Sequence, residues 1–122
     1  MRVLKPRKIR TKKYNKRWQE LVSLCSTRKT WPMAVVEADR LLDKVLKKKK
    51  YKGKTYGERL VSAQHELTLN EEVWFSHKFA QKLIEDNPDV RTLKKKDIIR
   101  ALAGFRAALR DLGALSTKQD DQ

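Results

Sequence analysis

The sequence predicts an all-α protein: an up-and-down bundle of four to five helices, with a basic, disordered arm at its N-terminus. Three observations predict it. Apolar residues recur at spacings of three and four in five separate segments. No segment sustains the period-two alternation of a half-buried strand. The breaks between segments carry helix-capping and helix-stopping residues and are short enough for neighbouring helices to run antiparallel. At 122 residues the chain suits one domain around one core and is too short for two. It holds no repeat of the length that marks a solenoid.

Residues 1–12 read as the arm. Val3, Leu4 and Ile9 are too few to bury, Pro6 interrupts any early helix, and the dense like charges repel one another. A first helix is expected over roughly 13–28, where Trp18, Leu21, Val22 and Cys25 form one apolar stripe. A second begins after Thr30, an N-cap residue type, with Pro32 tolerated in the first turn. Its stripe is Val35, Ala38, Leu42 and Val45, flanked by Leu41 and Leu46. It closes on Lys47-Lys48-Lys49-Lys50, where cations suit the helix dipole, and Gly53 follows.

Thr55 and Glu58 have the spacing of a capping box, which opens a third helix carrying Leu60, Val61, Gln64 and Leu67. Asn70, with Glu71 and Glu72 behind it, is the expected cap of a fourth. That helix carries Val73, Trp74, His77, Ala80, Leu83 and Ile84, and Asn87-Pro88 stops it. A fifth is expected from Thr92 as N-cap, with Ile98, Leu102, Phe105, Leu109 and Leu112 as its stripe. Gly113 is its left-handed C-cap and Leu115 folds back as the hydrophobic partner. The bundle so defined covers 13–115, and residues 116–122 form a polar tail.

The net charge of +15 is unevenly spread. Residues 1–17 hold nine cations and no acid: Arg2, Lys5, Arg7, Lys8, Arg10, Lys12, Lys13, Lys16 and Arg17. The rest of the chain is only mildly basic. Such an arm expects a polyanion, and Tyr14 stands just behind it as a candidate to stack on a base or ribose. Lys94, Lys95 and Lys96 sit in the first turn expected for the fifth helix. Cations there oppose the dipole, so local stability does not explain them, and the place suits a phosphate.

Other chemistry finds little support. One Cys and two His match no zinc spacing, and no metal or cofactor is expected. Cys25 lies on an apolar stripe, as a structural thiol does. Four scattered glycines make no phosphate loop, so no small-molecule substrate is expected. No run of apolar residues is long enough to span a bilayer, the start lacks the apolar core of a secretory signal, and a single Cys suits a reducing, cytoplasmic compartment.

Three segments carry a family resemblance: Trp31-Pro32-Met33-Ala34-Val35-Val36-Glu37-Ala38-Asp39-Arg40-Leu41-Leu42-Asp43, Tyr51-Lys52-Gly53-Lys54-Thr55-Tyr56-Gly57-Glu58-Arg59-Leu60 and Val73-Trp74-Phe75-Ser76-His77-Lys78. In this order and spacing, over about residues 18–115, the chain resembles a family of small helical proteins from bacteria of the candidate phyla radiation, including the Saccharibacteria. That family is similar to the HEPN superfamily of helical bundles, whose members include ribonucleases, toxin components and inactive RNA-binding modules. The resemblance implies an α-bundle. It also locates a departure. Where active members place a catalytic Arg and, beyond four intervening residues, a His, this chain has Ala80 and Glu85. Ala80 cannot stabilise a phosphorane, and an anionic Glu85 repels the scissile phosphate. Arg59 and His65 offer a substitute spacing, but residues six apart lie about 120° round a helix.

The expectation is therefore a non-catalytic RNA-binding protein, with ribosomal or other structured RNA as partner. The alternative is a protein-interaction or dimerisation module of HEPN type, toxin–antitoxin-like or a scaffold, in which the chain forms a homodimer. A third reading places the polybasic arm on an anionic membrane surface, which its scarcity of insertable apolar residues disfavours.

Overall fold

Five helices build the described part of the computed structural model, residues 10–116: α1 (Thr11–Ser23), α2 (Trp31–Lys48), α3 (Tyr56–Ala63), α4 (Asn70–Asp86) and α5 (Lys95–Asp111). The fold is an all-α bundle, and among the described residues there is no strand. Short 3-10 turns at Leu24–Ser26, Arg28–Thr30, Gln64–Glu66 and Val90–Thr92 link the helices.

Helices α2, α4 and α5 pack on one another and enclose the core, with α1 and α3 laid against α2. Directions follow from the ends. Arg28 donates to the Leu93 carbonyl ahead of α5, and Lys49 Nζ to the Leu112 carbonyl behind it, so α2 and α5 run parallel. Thr11 Oγ1 donates to the Gly113 carbonyl, which sets α1 antiparallel to both. The α2 stripe of Val35, Ala38, Leu42 and Val45 is fully buried, as are Phe105 and Leu109 of α5. A Cβ on Gly104 would stand 2.7 Å from the Glu72 carbonyl oxygen, so α4 and α5 approach where only glycine fits.

Several terminal expectations hold. The Thr55 hydroxyl accepts from the Glu58 N–H, while the Glu58 carboxylate reaches back to the Lys54 N–H rather than that of Thr55. Asn87, at φ 42°, ends α4. Gly113, at φ 81°, ends α5: its N–H donates to Arg110 O and that of Ala114 to Leu109 O, and Leu115 turns back into the core.

Others are corrected. The first helix spans Thr11–Ser23, so it begins inside the segment read as arm and stops before residue 28. Thr30 precedes α2, but its hydroxyl donates to the Leu24 carbonyl and caps nothing. Asn70 is inside α4, and its Oδ1 is enclosed without a partner among the described residues; Leu69 holds the cap position. Thr92 is spent in the turn before α5, donating to Asp89 O, and Lys94 holds that cap position. The left-handed residue after α2 is Lys50, at φ 68°, three residues before Gly53. Among the described residues no helix is long and apolar enough to cross a membrane.

Candidate nucleic-acid interface

The three segments that carry the family resemblance meet beneath α2, in a buried polar cluster. Asp39 and Asp43 are one turn apart on α2 and face α3 and α4. Asp39, 6% exposed, contacts His77 Nδ1 of α4 through Oδ1 at 3.0 Å. Tyr56 packs its ring 4.2 Å from that of His77 and donates to the Asp39 carbonyl at 2.9 Å. Arg59 grips both oxygens of Asp43 at 2.8 and 3.0 Å and donates to the Gly53 carbonyl at 2.9 Å. Burial, with the Asp39 charge next in size, holds the Tyr56 phenol well above its ordinary range, and the bond to Asp43 raises Arg59. These groups are committed to each other. Arg59 is bonded to Asp43 and the Gly53 carbonyl, while His65 lies exposed on the turn after α3. Ala80 is fully buried in the core, and Glu85 is exposed on α4.

The charge available to a ligand lies elsewhere, between α1 and α2. A cleft of ≈ 430 Å³ is walled by Lys13, Lys16 and Arg17 on one side and Arg40 and Lys44 on the other. Its two carboxylates are Glu20 and Glu37. Glu37 accepts from both Arg17 and Arg40 at 2.8 Å, pinning the two walls together, and leaves Lys13, Lys16 and Lys44 as surplus. Arg40 and Lys44 also line a second cleft of ≈ 260 Å³, here with Lys47 and the two carboxylates Asp39 and Asp43, the last of which pairs with Lys47 at 3.6 Å.

The sequence-predicted residues are sorted accordingly. Lys13, Lys16 and Arg17 stand together in the cleft, with Arg10 and Lys12 exposed at the start of the same helix. Tyr14 is a correction: at 4% exposed it is packed in the core, and its face is closed to a base. It sits two turns from Leu21, and together they are the buried residues of α1. Lys94, Lys95 and Lys96 are exposed at the start of α5, which lies at the opposite end of the bundle from the start of α1. They belong to a separate patch. Arg2, Lys5, Arg7 and Lys8 lie outside the described residues. Sequence reasoning missed Arg40 and Lys44, although with Lys47 their spacing of four and three is a basic helical stripe.

Among the described residues no three His, Cys, Asp or Glu gather to hold a metal ion. No family model, curated protein or solved structure matches the chain.

Proposed function

We propose that this chain is a non-catalytic RNA-binding protein whose α1–α2 cleft, with the basic residues leading into α1, runs along a phosphate backbone. The observation that carries this reading is the cleft itself: five cations from two helices face one space that holds two carboxylates, both near Arg17. Guanidinium and ammonium groups aligned along a trough match phosphates spaced along a strand. Ribosomal or other structured RNA is the partner class that fits a small bundle with a basic leading segment. The HEPN-like ancestry proposed from the sequence gives the same direction, a nuclease-type bundle that holds RNA without cutting it. Ala80 and Glu85 occupy the places of its catalytic pair, Arg59 is held in an ion pair with Asp43, and His77 is bonded to Asp39.

Salt titration of RNA binding tests it. About six phosphate contacts predict a slope of log K against log salt of about −4 to −5 on a single strand. Reversing the α2 wall of the cleft, Arg40→Glu with Lys44→Glu, is expected to weaken binding far more than removal of residues 1–9 weakens a chain that retains the cleft. Truncation stops at residue 10, because α1 contributes Tyr14 and Leu21 to the core. Equal affinity for wild type and the double reversal, at moderate salt, would sink the reading. The RNA is expected to remain intact throughout.

A further inference from the structure

Helix α1 has a second face. Trp18, Val22 and Cys25 form part of an apolar stripe of the kind that faces a core, yet they line an open groove of ≈ 910 Å³ between α1 and α5. The far wall holds Ile99 and Leu102, and Leu69 closes one end. Val22 is 44% and Ile99 57% exposed. The groove exists because α1 packs on α2, while its first turns are tied by hydrogen bonds to Gly113 and Ser116 beyond the end of α5. No residue lining it is acidic, and Arg106 and Arg110 run along its α5 edge.

We propose that this groove docks an amphipathic helix of another protein, one with an apolar face and an acidic flank. The apolar floor, with Val22 and Ile99 exposed on its two walls, calls for the apolar face of a helix. The trough lies between helices of 13 and 17 residues, about 20–25 Å long, which seats three to four turns of helix. Arg110, exposed on the α5 edge, selects the charge of the flank. Other occupants fit worse. A second copy would bring the same two arginines, and another +15 molecule, against the first. The nine residues before Arg10 carry four cations and no acid, and the six after Ser116 include no apolar side chain. The site is independent of the RNA reading, because it uses the opposite side of α1.

Two designed peptides of 14 residues test this, with the same leucine face and either glutamate or lysine flanks. The full chain is expected to bind the glutamate peptide at least about tenfold more tightly. The variant Val22→Ser with Ile99→Ser changes two exposed residues and no charge, so its fold and its RNA affinity serve as controls. It is expected to lose at least about tenfold in peptide affinity. Cys25, the only thiol in the chain, lines the groove and reports position: its alkylation should slow when the glutamate peptide is bound. Equal binding of the two peptides overturns the proposal. So does undiminished binding by the serine variant, which would make the attraction one of net charge alone. A dimer that sedimentation detects in the wild type and that the serine variant abolishes would assign the groove to a second copy instead.

Discussion

Helix α2 carries two charged stripes that are neighbours in the chain and opposites in the structure. Asp39 and Asp43 form one, Arg40 and Lys44 the other, about 100° further round. The acidic stripe faces inward, with each carboxylate answered by a specific cationic or polarisable partner, His77 or Arg59. The basic stripe is exposed, and its ion pairs, Arg40 with Glu37 and, one turn on, Lys47 with Asp43, are surface pairs of small energetic weight. Net charge alone therefore says little about where a polyanion docks. Burial and pairing decide which charges hold the bundle together and which remain to meet a ligand.

The largest expected effect comes from breaking the inward stripe. Asp39→Ala leaves His77 Nδ1 buried without its partner and is expected to cost about 3 kcal/mol, lowering the melting temperature by about 10 °C. Asp39→Asn keeps an acceptor oxygen in place and should recover much of the loss. Thermal melts of the two variants measure this. RNA affinity of the folded protein should be unchanged in both. If Asp39→Ala melts like wild type, the inward stripe does not hold α4 to α2.

Breaking the outward stripe should do the reverse. On a single strand each phosphate contact is worth about fivefold in affinity near 0.1 M salt. Arg40→Ala with Lys44→Ala is therefore expected to weaken RNA binding about 25-fold and to flatten the salt slope by about 1.4, with stability within about 0.5 kcal/mol of wild type. Filter binding across a salt series, with a denaturation curve alongside, separates the two quantities. A stability loss without an affinity loss would invert the comparison between the stripes.

Much of this fold was legible in the sequence. The stripes of α2 and α5 have helical periods over whole elements, and Gly113, Asn87 and Thr55 are residues whose chemistry fits only a few backbone places. The caps at Thr30, Asn70 and Thr92 were misread for one reason. A hydroxyl or amide marks a helix start only if it turns toward the free N–H groups, and Thr30 and Thr92 instead donate to carbonyls of the preceding turn. Half of the cleft was legible as well, in Lys13, Lys16 and Arg17. The α2 wall was hidden because Arg40 and Lys44 each follow an acid, so the segment reads as balanced until burial separates the signs. Tyr14 was assigned outward because cations surround it, though Leu21, two turns on, shares its buried face.

A smaller effect is expected where α2 ends. Lys50 and Gly113 hold the same place in two matching caps. After α2, Lys50 N–H donates to Lys47 O and Tyr51 N–H to Leu46 O, the pattern that Gly113 and Ala114 make after α5. Both residues have positive φ, 68° and 81°. A side chain with a Cβ is strained there and glycine is not. Lys50→Gly is therefore expected to stabilise the fold by about 0.5–1 kcal/mol even though it removes a cation, and Gly113→Ala to destabilise it by a similar amount. Urea denaturation of the two variants checks that the signs are opposite.

The smallest effect is a titration. Tyr51, next after Lys50, donates its hydroxyl to Glu66 at 3.0 Å, and its pKa is pushed up to about 12, first by burial and then by that carboxylate. The folded state thus prefers the neutral phenol. Its contribution is complete below the ordinary phenol value near 10 and is lost as pH rises through about 12. Glu66→Gln removes the charge and leaves the burial, so the midpoint should fall toward 10 without reaching it. The Tyr51 ring-carbon shift followed by NMR measures that midpoint. Because Glu66 lies in the turn after α3 and lines neither cleft of the basic stripe, RNA affinity at neutral pH should not respond. A response would mean that the outward cations are not the only charges the ligand reads.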